Sequence, residues 1–204
     1  MSILESIQSV LTPFLSAIFL SAIEQNVLLN RALDPSRILD TAKKRSSNFV
    51  WESLLLMVTM FFSTLLVYPI SGAIKNWEMR YPLIPLIYVL CVIVVYLAIR
   101  FVAYRLFPRR TLNFDEIFTA STFNCAVLGS IIVMIQQGGT LSTNLGYAVG
   151  TGIGYLIACV LVWEGVRRLR LCDVPKPFRG LPIMLIYIGI LSLSIYGITR
   201  IASK

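Results

Sequence analysis

Asn124 and Cys125 stand side by side in a stretch otherwise built of Ile, Val, Leu, Phe and Met, with Thr119, Ser121 and Thr122 just ahead of them. Polar side chains inside an apolar run either bond between packed helices or line a working site, because stranded polar groups are costly in hydrocarbon. A second interruption, Glu24-Gln25-Asn26, breaks the apolar run that begins at Val10. Glu24, Asn26 and Asn124 are therefore candidates for an ion pathway. The chain has no histidine, which removes most zinc and copper sites and the usual haem ligand. Its four cysteines, Cys91, Cys125, Cys159 and Cys172, form no CxxC. A lone cysteine in an apolar run reads first as a small buried hydrophobe. A metal site contained within this chain is not expected.

The elements that must hold these residues are membrane spans. Of 204 residues, 57% are hydrophobic and only 14% charged, where soluble domains carry roughly a quarter charged. The apolar residues run on without helix-face or strand spacing, and a span needs about 20 of them. Six runs qualify, at roughly 7–30, 48–74, 83–107, 116–137, 145–166 and 181–201. Only helices or closed barrels satisfy the backbone in lipid, and runs of this length mean helices. The N-terminal MSILESIQS lacks the basic region of a signal peptide. The chain 1–204 reads as one membrane-embedded unit with all-α polytopic architecture.

Charge orients the spans. Arg31, Arg37, Lys43, Lys44 and Arg45 fall in the first connection, and Arg100, Arg105, Arg109 and Arg110 around the third. Arg167, Arg168, Arg170, Lys176 and Arg179 fall in the fifth, so these three hold most of the 18 basic residues. The positive-inside rule puts them in the cytoplasm and both termini outside. The net charge of +8 is then topological and lipid-facing, with no bearing on nucleic acid. Six spans with both ends on one side divide into two three-helix halves of opposite direction, approximately 1–80 and 108–204, with span 3 at 83–107 completing the first. Such inverted repeats place their site near the midplane, where corresponding helices are broken. The broken ones here are the first of each half, the spans holding Asn26 and Asn124. That match favours a site over plain helix packing. In span 5, Gly146, Gly150, Gly154 and Ala158 recur every four residues and form a smooth face for another helix. Trp51, Trp77 and Trp163 lie near span ends, as interfacial aromatics do. Glu52 and Glu164 join Glu24 as the acids nearest the membrane, either passing a cation or pairing with an interfacial Arg.

NCAVLG (124–129) and DVPKPFRG (173–180), followed by a final helix, resemble the six-span membrane subunits of the Rnf electron-transport complex and the sodium-translocating NADH:quinone reductase, nearest the RnfA/NqrE type. NVLLNRAL (26–33) and AKK (42–44) fall at matching distances, so the resemblance runs along the whole chain. It implies a bacterial inner-membrane protein that pairs with an oppositely oriented homologue of the RnfE/NqrD type and with other complex subunits. It also implies a 2Fe–2S cluster shared between the pair, each partner giving two cysteines, and electron flow coupled to sodium or proton movement. Cys125 takes the place of one ligand. NADH, flavin and ferredoxin chemistry belongs to other subunits in that family, so this chain is part of a redox-driven translocase and not a catalyst alone.

The chain departs from the pattern at several points. The family's other cysteine falls on Ser36, within Asp34-Pro35-Ser36, which reads as a turn. A serine hydroxyl is a weaker acid and a harder ligand than a thiol. Family glutamates fall on Arg100 and Arg167, with Glu164 one turn earlier, and a family proline on Thr119. Two alternatives therefore stand beside the redox subunit: a cluster-less scaffold or assembly paralogue, and a small-solute or ion transporter on the same fold.

Overall fold

The computed structural model describes residues 3–24, 26, 29, 49–74, 80–106, 119, 121–169, 171–173 and 175–202. Ser36, the connections at 31–47 and 107–118, Trp77 and the side chain of Glu24 lie outside the described residues. Among those described every regular element is helical. In chain order they are α1 (Ile3–Phe19), a π-helical turn (Leu20–Glu24), α2 (Phe49–Ile74), α3 (Arg80–Leu106), α4 (Cys125–Gln136), α5 (Leu141–Leu169), a 3₁₀ turn (Lys176–Phe178) and α6 (Leu181–Ala202).

Four of these helices, α2, α3, α5 and α6, are long and apolar enough to cross a membrane. A span's backbone groups must all bond within the span, so an apolar run of this length settles into helix whatever its side-chain order. The expected spans 1 and 4 are shorter. The apolar part of α1 and its π turn covers Gln8–Ile23, and α4 has 12 residues. At 1.5 Å per residue α4 reaches about 18 Å, against about 30 Å of hydrocarbon. Both irregular segments sit where the polar interruptions predicted them. Gly138 ends α4 at φ +66, a left-handed conformation that glycine adopts without strain.

The core gathers around α5, of whose most apolar stretch 61% is buried, against 6% for α6. Leu56, Met60 and Val67 of α2, Cys91 and Val92 of α3, and Val127 and Ile131 of α4 pack with Ala158, Cys159 and Val162 of α5. Cys91 and Cys159 are thus the small buried hydrophobes expected of them. Buried hydroxyls return to their own helices: Thr59 Oγ1 donates to Leu55 O (2.7 Å), Thr64 Oγ1 to Met60 O (2.7 Å), and Thr151 Oγ1 to Tyr147 O (2.8 Å). This back-bonding satisfies the donor without a partner helix.

The glycine face of α5 takes α1, as its spacing predicted. A Cβ at Gly146 would strike Phe14 O, one at Gly150 would strike Ile18 O and Ser21 Oγ, and one at Gly154 would meet Ala22 and Asn26. Only hydrogens in place of side chains let the two backbones approach this closely. On another face of α5, Gly152 lies against Met57 of α2.

Candidate functional site

The two interruptions are built alike. In the first, the π turn Leu20–Glu24 ends α1, and Asn26 follows at 3% exposure. Its Nδ2 donates to Ala22 O (3.0 Å) and to Gly154 O of α5 (2.9 Å), while its Oδ1 accepts from Leu29 N (3.2 Å). Leu29 O in turn accepts from Ser192 Oγ on α6. Asn26 therefore ties the end of α1 to α5 through Nδ2, while its Oδ1 fixes the backbone that follows. Those bonds are the work of a structural lock.

In the second, Phe123 N donates to Thr119 O (2.9 Å), closing one helical turn. The chain then opens at Asn124, with φ −118 and ψ 136. Asn124 Oδ1 accepts from Ala126 N (2.8 Å), and Asn124 O accepts from Val127 N (3.0 Å), so α4 begins at Cys125. An asparagine at a helix N-cap satisfies a donor that the first turn leaves free and contributes about 1 kcal/mol. Asn26 and Asn124 thus each follow a helical segment and accept a backbone N–H two or three residues on.

Cys125 is the first residue of α4 and is exposed at the surface of this chain. The reading of Cys125 as a small buried hydrophobe fails here, because the residue that opens α4 after the break is exposed. The start of a helix carries the positive end of its dipole and unpaired N–H groups, a setting that suits a negatively charged group docked beside it. Asn124, next to it, is buried and only half satisfied. Its Nδ2 and the nearby Ser121 Oγ are both buried without a hydrogen-bond partner among the described residues. Leaving a buried donor unpaired costs about 1–3 kcal/mol. The break thus concentrates two unpaired buried groups within four residues.

The outer side of the break rests on α3. Arg100 Nη1 donates to Tyr96 Oη (3.0 Å), which lies 3.1 Å from Thr119 Oγ1. The Tyr96 ring packs on Phe123 at 5.0 Å between centroids, and the Arg100 guanidinium stands 5.9 Å from that Tyr96 ring. Two of the departures from the resembled pattern, Arg100 and Thr119, therefore meet at one tyrosine. Sequence reasoning passed over Tyr96 and Phe123. The signal for Tyr96 was its spacing of four from Arg100, which puts both on one helix face.

The other candidates fall elsewhere. Glu164 pairs with Arg168 (3.0 Å) and Arg167 (3.9 Å), and Arg167 also lies over Trp163 (5.7 Å), so the pairing with a neighbouring Arg is present. Cys172 is exposed beyond α5. Lys176–Phe178 forms a 3₁₀ turn, and the φ of +97 at Gly180 explains the glycine that ends DVPKPFRG. Among the described residues no three His, Cys, Asp or Glu side chains gather into a metal-binding group.

Comparison with known proteins fits this architecture. The A component of an ion-translocating oxidoreductase complex from Syntrophotalea carbinolica is 49% identical over 77 residues, a stretch covering 37% of this chain and 39% of that protein. The A component of the same kind of complex from Cereibacter sphaeroides is 40% identical over 82 residues, 40% of this chain and 42% of its own length. The E component of a Na(+)-translocating NADH-quinone reductase from Psychrobacter sp. is 40% identical over 73 residues, 35% of this chain and 36% of that protein. The matched stretches thus span well under half of these relatives. A family model described as "Rnf-Nqr subunit, membrane protein" matches residues 14–202, nearly the whole chain. With its apolar helices and its two asparagine-marked breaks, this chain belongs to the Rnf-Nqr family of membrane subunits.

Proposed function

We propose that the chain is the RnfA/NqrE-type membrane component of an ion-translocating electron-transport complex. It crosses the bacterial inner membrane six times, as two inverted three-helix repeats with both termini outside. An oppositely oriented homologue pairs with it, and the two share a 2Fe–2S cluster to which Cys125 gives one thiolate. The carrying observation is the place of Cys125, exposed at the first turn of a short apolar helix and within the NCAVLG stretch that carries the resemblance. The relatives' names as components of ion-translocating complexes support the larger role.

The fit to the cluster is partial. Thiolates are the usual ligands of such clusters, and the described residues offer one in an outward-facing position at the break. Cys91 and Cys159 are buried in the core and Cys172 lies beyond α5, in the connection the proposed topology puts in the cytoplasm, so the remaining ligands come from the partner or from the Ser36 segment. The cluster, when bound, supplies one-electron transfer between the two membrane faces. This chain holds the ligand in place and keeps the surrounding backbone bonded.

Low-temperature EPR of the dithionite-reduced complex, purified through this protein, tests the reading. A 2Fe–2S signal from the membrane core that disappears in Cys125→Ala establishes the ligand, and Ser36→Cys then shifts or sharpens it. A wild-type complex with all partner subunits but no such signal would leave a cluster-less scaffold. That second reading draws on one observation, the serine at position 36.

A further inference from the structure

The cluster reading requires that Cys125 be held in one orientation at a place where the backbone is broken and two buried polar atoms pull against the local fold. Asn124 Nδ2 and Ser121 Oγ have no partners among the described residues, so an opening that lets them find one recovers part of their burial cost. Something must oppose that opening. The bonds of Tyr96 supply it.

An arginine has only donors, so in the Arg100–Tyr96 bond the phenolic oxygen accepts, and the same hydroxyl bonds Thr119 Oγ1, where either oxygen can be the donor. Thr119 O accepts from Phe123 N, and the Phe123 ring lies against the Tyr96 ring. One side chain of α3 therefore grips both ends of the turn 119–123, by its hydroxyl at the start and by its ring at the end. The next two residues are the N-cap Asn124 and Cys125. Because a turn pinned at both ends has little freedom to slide, the start of α4, and with it the direction of the Cys125 side chain, is set from α3.

We infer that Tyr96, held by Arg100, is a positioning residue for Cys125: a clamp that keeps the helix break closed and the thiol facing the partner side. The inference deepens the cluster reading and rests on it for its functional meaning, while the clamp itself is testable without a cluster. The hydroxyl of Tyr96 and that of Thr119 act as one unit, so losing either loses the bond.

The test uses the full chain with Cys172→Ser, which leaves Cys125 as the thiol known to be exposed. After iron is removed with a chelator, Cys125 is labelled with a methanethiosulfonate nitroxide and the protein is returned to lipid vesicles. Continuous-wave EPR then reads the ratio of mobile to immobilised label. Tyr96→Phe keeps the ring and removes the hydroxyl, and Thr119→Val removes the other end. Each should raise the mobile-to-immobilised ratio about five- to tenfold, as expected for one lost intramolecular hydrogen bond. The double variant should do no more than either single one, and Thr119→Ser, which restores a hydroxyl, should match the parent. An unchanged ratio in both Tyr96→Phe and Thr119→Val overturns the clamp, as does a double variant whose effect is the product of the singles. Absence of an iron–sulfur signal in the unlabelled wild-type complex refutes the cluster reading alone and leaves the nitroxide result to decide the clamp.

Discussion

At the scale of single residues, Asn124 carries two effects of opposite sign. Its Oδ1 caps α4 and its Nδ2 is buried without a partner among the described residues. Serine at this position keeps a capping oxygen and drops the orphaned amide. Asn124→Ser should therefore unfold at or above the wild-type temperature, whereas Asn124→Ala, which loses the cap, should lie about 1 kcal/mol below Asn124→Ser. Thermal unfolding of the purified protein in detergent decides the order, and an alanine variant as stable as the serine one would remove the cap from the account. The sequence marked Asn26 and Asn124 together as polar interruptions of apolar runs. Their different use, one amide bonded at both polar atoms with a link to α5 and the other half satisfied, depends on what packs beside each, and nothing in the flanking residues encodes that. Tyr96 shows the same limit: a tyrosine in an apolar run is unremarkable until Arg100 on one side and Thr119 on the other give its hydroxyl a direction.

At the scale of elements, spacing was informative wherever one helix face does one thing. Gly146, Gly150, Gly154 and Ala158 predicted a close helix contact, and α1 fills it. Which helix would come there was not legible, because the period describes a surface and leaves its partner unspecified. A methyl at Gly150 meets the backbone of Ile18 and the Ser21 hydroxyl, neither of which is the yielding end of a long side chain. Gly150→Ala should thus cost about 1–3 kcal/mol through displacement of α1. Gly72→Ala in α2 meets nothing within 4 Å, and should be neutral or stabilising by up to about 1 kcal/mol from helix propensity. Equal melting shifts for the two would show that α1 does not lie on α5. The runs expected at 7–30 and 116–137 contain shorter helices than their lengths imply, Ile3–Phe19 with its π turn and Cys125–Gln136. Hydropathy counts residues that tolerate lipid; a break appears only where a side chain such as Asn124 competes for the backbone donors.

At the scale of the whole molecule, the proposed orientation follows from charge and is open to a direct check. The proposal places the connection after α5 in the cytoplasm, where Arg167, Arg168 and Arg179 stand with the exposed Cys172. A membrane-impermeant maleimide added to intact cells should leave Cys172 unlabelled and should modify it once the inner membrane is opened; labelling in intact cells would invert the topology. In that connection Gly180 takes a left-handed φ and Phe178 is exposed. The all-helical build, the approximate limits of the four long spans and the family were readable in one dimension. Bilayer thickness and motif spacing act on lengths of chain, and every apolar run must bond its own backbone. The outward thiol of Cys125, the bonds that converge on Tyr96 and the lock at Asn26 were decided only in three dimensions. Each depends on which helix lies within a few ångströms of a given atom, and hydrogen bonds and close packing reward that proximity with no regard to distance along the sequence.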